Sequence, residues 1–233
     1  MRVRVILLEP EVSGNIGAVA RSMKNFGLDD LWIVNPKTTL QDDARAFAMH
    51  GLSILESAKV ATSLDSAIVG VNVLVGTSSV TARSTSNLPR IAVTPKQLVQ
   101  KMTKSGGTLG IMFGRESSGL TNHEVESCDF MVTIPANREY NVLNVSAAAS
   151  IIFYELFQTK PTSRAEVATQ SSRRRLLLQF DEFVTLSGIQ VHKGRLARRA
   201  FRNVISRSLI SSREASLLIG LFRKSSARLG KLK

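Results

Sequence analysis

The stretch "VRVILLEPEVSGNIGAVARSMKNFG", residues 3–27, decides the fold, because its hydrophobic pattern changes from that of a strand to that of a helix. Its first part, "VRVILLE" (3–9), is a nearly continuous apolar run, which is typical of a strand buried on both faces of a parallel sheet. Apolar residues then recur every three or four positions and predict a helix over 15–26. A buried strand followed directly by a helix indicates an α/β domain.

The same alternation continues to residue 158. Further strands are predicted at 31–36, 71–78, 108–114 and 130–135. Helices are predicted around 41–49 and at 52–60, 64–69, 94–104 and 141–157. Thr94 is the expected N-cap of its helix, and Thr121 and Glu124 have the spacing of a capping box.

A second part of the chain follows a polar stretch. We predict an α/β domain at 1–158, a linker at 159–172 and a helical extension at 173–233. Within the extension, helices are expected at 173–187, 194–209 and 212–228, the last with a capping box in "SSRE" (211–214).

The net positive charge lies entirely in the second part. The net charge is +13, yet residues 1–158 carry 14 Lys and Arg against 14 Asp and Glu. Residues 159–233 carry 17 against 4. A neutral body with a basic helical extension indicates contact with nucleic-acid phosphates. The alternatives are a solvated charged face and, less favoured, a basic amphipathic surface for membranes.

Several classes of protein are disfavoured. No apolar run reaches the roughly 18 residues of a membrane span, and the N-terminus is expected to be a buried strand rather than a signal peptide. The single cysteine, Cys128, excludes an internal disulfide, so we expect a cytoplasmic location. The three histidines lie far apart, so no metal site is expected. Neither a GxGxxG fingerprint after the first strand, nor a P-loop, nor a GxSxG elbow occurs.

Four loops rich in Gly, Ser and Asn follow predicted strands. They are "EPEVSGNIG" (9–17), "GTSS" (76–79), "FGRESSGL" (113–120) and "IPANREYNVLN" (134–144). Ligands of open parallel sheets bind beyond the carboxyl ends of the strands, so these loops predict a ligand site. The alternative is that they are ordinary βα turns, which favour the same residue types.

The residues of these segments resemble a known family. "EPEVSGNIGAVARSMKNFG", "GRESSGLTNHEVESCD" and "IPANREYNVLNVSAAASIIFYEL" look like the three motifs of the SPOUT class of S-adenosylmethionine-dependent RNA 2′-O-ribose methyltransferases, and within it the branch that methylates tRNA. The resemblance covers residues 1–158 in order. It implies a parallel sheet with a C-terminal trefoil knot, an exception to the usual absence of knots. It also implies a homodimer, a tRNA substrate and, for this branch, methylation of nucleotide 32 in the anticodon loop.

The resemblance also implies which residues bind the cofactor and which act on the substrate. The S-adenosylmethionine contacts carried over by motif position are Thr77, Ser78, Ser79, Gly114, Ile134, Asn141, Val142 and Leu143. The catalytic candidates are Arg21, Asn15, Tyr140 and Glu116, with Asn144 nearby in the third motif. Glu116 is expected to orient Arg21 unless it forms a salt bridge elsewhere, and Tyr140 to hold the ribose unless it packs at an interface.

We expect Arg21 to bind a phosphate or stabilise the developing oxyanion, because a guanidinium with a pKa above about 12 is a poor base. The alternative is a surface arginine on an amphipathic helix. Gly14 and Gly17 share the helix face of Arg21, and we expect them to keep that face bare for RNA.

The third motif departs from the family pattern. Relatives in the tRNA-methylating branch commonly carry serine where this chain has Val142, in "YNVLN" rather than "YSSLN". Backbone contacts to a cofactor would survive this change, whereas any role of a hydroxyl would be lost. We expect a restricted preference for cytidine, with uridine as the alternative.

The candidate RNA contacts are the basic residues of the extension, where arginines alternate with Leu, Ala and Phe. They are Arg173, Arg174, Arg175, Lys193, Arg195, Arg198, Arg199 and Arg202. Two other functions remain open from the sequence: a ribosomal RNA methyltransferase of the same class, and a non-catalytic RNA-binding protein that has kept the fold.

Overall fold

Seven parallel strands form one sheet in the part of the chain that the structure, a computed structural model, describes: residues 1–79, 92–102, 106–158 and 167–231. The strands lie in the order β3-β2-β1-β6-β4-β7-β5. Their bounds are β1 Arg2–Leu8, β2 Asp30–Val34, β3 Lys59–Ala61, β4 Val73–Thr77, β5 Ala92–Val93, β6 Thr108–Phe113 and β7 Phe130–Val132. The predicted α/β fold with a parallel sheet is therefore confirmed.

Helices follow most of the strands. In the first compact unit, Met1–Arg164, they are α1 Ser13–Asn25, α2 Asp42–Ala48, α3 Leu52–Glu56, α4 Leu64–Ala67, α5 Pro95–Met102, α6 Asn122–Ser127 and α7 Val145–Phe157. A short 3₁₀ turn, Met49–Gly51, separates α2 from α3. In the second compact unit, Ala165–Lys233, they are α8 Gln170–Leu186, α9 Val191–Ser208 and α10 Ser212–Gly230.

Strand β1 lies inside the sheet, between β2 and β6. Val5 and Ile6 are completely buried, as the continuous apolar run predicts. The pairing of Leu7 with Phe113 brings the ends of β1 and β6 together. Because all the strands are parallel, the loops that follow β1, β4, β6 and β7 leave the sheet at one edge.

Two segments differ from the sequence prediction. The helix expected over 52–60 ends at Glu56, and Lys59–Ala61 instead pairs with β2 as an edge strand too short to show a periodic pattern. The helix expected over 141–157 begins at Val145, because the side chain of Asn144 caps it by accepting from the backbone N–H of Ser146. The predicted caps at Thr94 and Thr121 are confirmed.

The glycines of α1 do not leave a bare face for RNA, so that expectation is wrong. A Cβ atom on Gly17 would lie 2.1 Å from the backbone oxygen of Ala44 in α2, and one on Gly14 would lie 3.2 Å from the ring of Phe47. The two glycines thus let α2 pack directly against α1. On another face of α1, Ile16, Val19 and Met23 are fully buried, as predicted.

The second unit is a small helical body with its own core. Its buried centre contains Leu176, Ile205 and Ala215, and the rings of Phe180 and Phe201 stack with centroids 4.0 Å apart. The capping box of Ser211 and Glu214 is present, as predicted.

The predicted linker, 159–172, is only partly accounted for. Residues 159–166 lie outside the described residues. Residues 167–172 belong to the second unit, because Val167 pairs with Ser211 and is buried and helix α8 already begins at Gln170. Across the described ranges, no helix is both long and apolar enough to span a membrane.

Candidate active site

A cavity of about 410 Å³ opens at the carboxyl edge of the sheet, beyond β4, β6 and β7. Its size falls in the range of small-molecule sites, which is about 300–1,000 Å³. All the residues carried over from the family as cofactor contacts lie in its lining: Thr77, Ser78, Ser79, Gly114, Ile134, Asn141, Val142 and Leu143. The structure therefore brings together three loops that are far apart in the sequence.

Two of these loops hold each other in place. The side-chain amide of Asn141 donates to the backbone oxygen of Ser79 at 2.7 Å, which links the third motif to the loop after β4. The backbone N–H of Ser78 donates to the oxygen of Val132 at 3.0 Å, which continues the β4–β7 pairing into the cavity wall.

The loop over 114–120 forms a tight turn at the cavity wall. The backbone N–H of Arg115 donates to the oxygen of Gly119 at 3.1 Å, and the N–H of Gly119 donates back to Arg115 at 2.9 Å. A Cβ atom on Gly114 would lie 2.3 Å from the carbonyl carbon of Gly119, and Gly119 itself has φ +69°. Both positions therefore need glycine.

Arg115 ties this loop to two others. Its Nε donates to Glu9 at 3.0 Å, and its two terminal nitrogens donate to both oxygens of Glu124, each at 3.0 Å. The hydrogen bond from Arg115 holds the pKa of Glu9 below its usual range. Burial works to raise the pKa of Glu124, but hydrogen bonds from Arg115 and Thr121 outweigh it, so that pKa is also lowered. Its bond to Glu124 raises the pKa of Arg115, which stays charged.

Glu116, which lines the cavity, is bound to the first motif. Its Oε1 accepts from the side-chain amide of Asn15 at 2.9 Å, and its Oε2 accepts from the backbone N–H of Glu11 at 2.8 Å. The side-chain amide of Asn144 donates to the oxygen of Asn15 at 2.9 Å. One chain of hydrogen bonds thus joins all three motifs. Both oxygens of Glu116 accept from Asn15 and Glu11, and no described contact joins Glu116 to Arg21, so the expected orientation of Arg21 by Glu116 stays a prediction.

The structure does not bring Arg21 and Tyr140 to this cavity. Arg21 is exposed on α1 and forms no hydrogen bond or ion pair with any described residue. Tyr140 is 77 % exposed, and its backbone N–H donates to Asn137. Of the four catalytic candidates, Asn15 and Glu116 therefore belong to the same chain of hydrogen bonds, whereas Arg21 and Tyr140 point to solvent.

The donor set of the cavity fits a nucleoside-type cofactor rather than a metal ion. Ile134, Leu143 and Leu120 supply apolar surface, while Thr77 and Ser78 supply hydroxyl groups. No group of three His, Cys, Asp or Glu residues that could hold a metal ion occurs within the described residues.

Six of the basic residues predicted to contact RNA are exposed in the second unit: Arg174, Arg175, Lys193, Arg195, Arg199 and Arg202. Arg173 is corrected: it is only 3 % exposed, with one terminal nitrogen donating to Gln170 at 2.7 Å, so it is not placed to contact RNA. Arg198 pairs with Asp181 at 3.5 Å and donates to Thr185 at 2.8 Å, and its contact with RNA stays a prediction.

Sequence reasoning missed Glu11 and Arg115 as parts of the site. Ser117 donates to Glu11 through its backbone N–H and its hydroxyl, at 2.9 and 2.7 Å, which closes the first loop onto the second. Their charges were visible in the sequence, because Glu11 lies near Gly14 and Arg115 follows Gly114. Which charged residues pair, however, depends on the strand order.

Comparison with known proteins agrees with this geometry. The profile of the SpoU rRNA Methylase family matches residues 2–154. The chain is 35% identical to "tRNA (cytidine-2'-O-)-methyltransferase TrmJ" of Methanocaldococcus jannaschii, over 95% of this chain and 98% of that protein. It is 32% identical to "tRNA (cytidine/uridine/adenosine-2'-O-)-methyltransferase TrmJ" of Pseudomonas aeruginosa, over 94% of this chain and 92% of that protein.

A solved structure extends the likeness to most of the chain. The crystal structure of TrmJ from Z. mobilis superposes with a TM-score of 0.77 at 26% identity, covering 96% of this chain and 99% of that one. The resemblance inferred from the three motifs is therefore confirmed, and the chain belongs to the SpoU rRNA methylase family.

Proposed function

We propose that this protein is an S-adenosylmethionine-dependent tRNA 2′-O-ribose methyltransferase. The observation that carries the proposal is the cavity at the carboxyl edge of the sheet, whose lining contains every cofactor contact implied by the motifs. The names of the relatives from M. jannaschii and P. aeruginosa support tRNA as the substrate.

The cavity would hold the cofactor through its backbone and its apolar side chains. S-adenosylmethionine supplies an electrophilic methyl group on a sulfonium, which needs neither a metal nor a redox centre. Gly114 and Ser78 would offer backbone groups, and Ile134 and Leu143 would cover the adenosine and exclude water. The carboxylate of Glu116, at the cavity wall, favours a positively charged ligand.

Glu116 acts as a positioning residue in this proposal. Both of its oxygens accept from N–H groups, so its role is to fix Asn15 rather than to take a proton. The oxygen of Asn15 is held by Asn144, which leaves the second N–H of the Asn15 amide to orient the substrate. Arg21 would bind the target phosphate or stabilise the developing oxyanion.

A homodimer would complete this site. Arg21 lies outside the cavity of its own chain, so a second copy would have to supply the arginine. An apolar face suits such an interface: Ile151, Tyr154 and Phe157 of α7 are 39, 51 and 65 % exposed. The ring of Phe26 lies 6.0 Å from that of Phe157, centroid to centroid, which extends this face onto α1. The knotted topology and a cytoplasmic location belong to the same proposal.

The finer assignment of the substrate rests on the relatives. We propose methylation of nucleotide 32 in the anticodon loop, with cytidine preferred. The M. jannaschii relative, which matches along nearly its whole length, is named for cytidine alone. The exposed basic residues of the second unit would contact tRNA phosphates and give a salt-sensitive affinity.

The test is incubation with labelled S-adenosylmethionine and unmodified tRNA, followed by mapping of the modified nucleoside. Ribosomal RNA fragments are included in parallel, because the matching family is named for that substrate. Arg21→Ala serves as the matched variant and should lose methyl transfer while binding the cofactor nearly as tightly. Label in ribosomal RNA alone would assign that substrate instead, and no cofactor binding at millimolar concentration would overturn an enzymatic role.

A further inference from the structure

The segment over 44–51 runs along the face of α1 that carries Arg21. At one end the ring of Phe47 lies against Gly14, with its Cδ2 3.2 Å from where a Cβ atom would be. At the other end a Cβ atom on Gly51 would lie 2.7 Å from the Cα of Arg21. Gly14 and Arg21 are seven residues apart in the helix, which corresponds to about 10 Å.

Two large apolar side chains of this segment face solvent. Phe47 is 56 % exposed and Met49 is 57 % exposed. Met49 has φ +47° and ψ −120°, a left-handed conformation that favours glycine and that a methionine adopts only under strain. Because the methionine side chain is largely outside the core, burial does not explain why a glycine is absent here.

The surroundings of these two side chains match the chemistry of a nucleotide. The guanidinium of Arg21 is exposed and suits a phosphate. Gly14, under the ring of Phe47, directly precedes Asn15, whose amide is bound to Glu116 at the cavity wall. Aromatic faces bind unstacked RNA bases by stacking on them.

We propose that Phe47 and Met49 form a stacking platform for an unpaired base next to the target nucleotide. The inference rests on the proposed function. It adds a contact to an RNA base, whereas the family motifs supply the cofactor site. Two side chains are too few for an interface with a second copy, which needs roughly 800 Å² from each partner. Residues 151, 154 and 157 of α7 offer a larger apolar face, and α7 meets α1 on a different side, where Ser150 bonds Ser22.

The first experiment compares Phe47→Ala, Phe47→Leu and Phe47→Trp with the full-length protein, using unmodified tRNA transcript as the probe. We expect Phe47→Ala and Phe47→Leu to weaken tRNA binding about tenfold. Phe47→Trp should bind tRNA within about twofold of the unchanged protein, since tryptophan stacks on a base and leucine does not. The affinity for S-adenosylmethionine and the oligomeric state should stay the same. Unchanged tRNA affinity in Phe47→Ala, no recovery in Phe47→Trp, or a changed oligomeric state would each overturn the proposal.

The second experiment uses Met49→Gly to separate stacking from structure. Glycine relieves the left-handed strain, so we expect a higher melting temperature together with weaker tRNA binding. A lower melting temperature would mean that Met49 serves the fold, and it would contradict the proposal.

Val69→Ala is the control for both experiments. Val69 is 70 % exposed, and its backbone oxygen accepts from Arg4 near the start of β1, away from the carboxyl edge of the sheet. This variant should bind tRNA like the unchanged protein, and a loss as large as that of Phe47→Ala would count against a local platform. Binding is measured without turnover, so a protein that binds tRNA but does not methylate it would refute the proposed function and leave this test intact.

Discussion

Arg115 shows how one side chain can hold the loops of a ligand site together. Its side chain is 16 % exposed, and its guanidinium joins Glu9, at the end of β1, to Glu124, in the first turn of α6. Arg115 also lines the cavity. The shape of the 114–120 loop therefore depends on an ion pair between segments that are more than a hundred residues apart in the sequence.

Arg115→Met should destabilise the protein by roughly 3 kcal/mol, because it leaves the carboxylates of Glu9 and Glu124 without their cation. Urea unfolding measures this cost. The matched control is Arg45→Met, which removes an ion pair with Glu56 whose two side chains are each 52 % exposed and should cost less than about 1 kcal/mol. Equal costs for the two variants would contradict the role given to Arg115.

The difference in free energy of unfolding between the unchanged protein and Arg115→Met should depend on pH. The pKa values of Glu9 and Glu124 are lowered from 4.5 by Arg115. Their contribution to stability is thus complete above the unfolded-state pKa and is lost as the pH falls through the lowered folded-state values. We expect the difference between the unchanged protein and Arg115→Met to be constant near neutral pH and to shrink below about pH 4.5.

At the scale of elements, the contact between α1 and α2 explains why α1 contains glycines at positions 14 and 17. The helical period of the sequence shows that Gly14, Gly17 and Arg21 share a face. It does not show which neighbour covers that face. In the structure, the backbone of Ala44 and Ala48 occupies the space beside Gly17, so this part of the face belongs to the packing and not to RNA.

Gly17→Ala should therefore destabilise the first unit by roughly 1–3 kcal/mol, because a methyl group would meet backbone and not a movable side chain. The matched control is Gly220→Ala in α10, where nothing lies within 4 Å of an added Cβ atom. There the gain in helix propensity should stabilise by up to about 1 kcal/mol. Thermal unfolding followed by circular dichroism compares the two, and a stabilising Gly17→Ala would show that the helices separate easily.

For the whole molecule, the division of charge follows the division of structure. The unit with the cavity is nearly neutral, while the second unit carries most of the net positive charge, with exposed arginines and lysines on its three helices. We expect affinity for tRNA to come mainly from the second unit and cofactor binding to come from the first.

A chain ending at Arg164 tests this separation. It should bind S-adenosylmethionine with unchanged affinity and keep the oligomeric state of the full-length protein, but bind tRNA at least tenfold more weakly at physiological salt. The dependence of log affinity on log salt should also become flatter, because fewer phosphates are neutralised. Equal tRNA affinity for the short and full-length chains would show that the basic helices are a solvated surface.

Local features of the sequence determined much of this protein. The apolar runs placed five of the strands, and polar residues at helix starts placed the caps of Thr121 and Ser211, because both depend on neighbours a few positions away. The three motifs identified the family and the residues that line the cavity.

The tertiary structure alone decided which groups meet across the chain. Strand order placed Glu116 against Asn15. Helix packing buried Arg173 in the second unit and covered the glycine face of α1 with α2. These outcomes depend on contacts between residues distant in sequence. A hydrophobic period reveals which side chains share a face, but it carries no information about the partner that covers it.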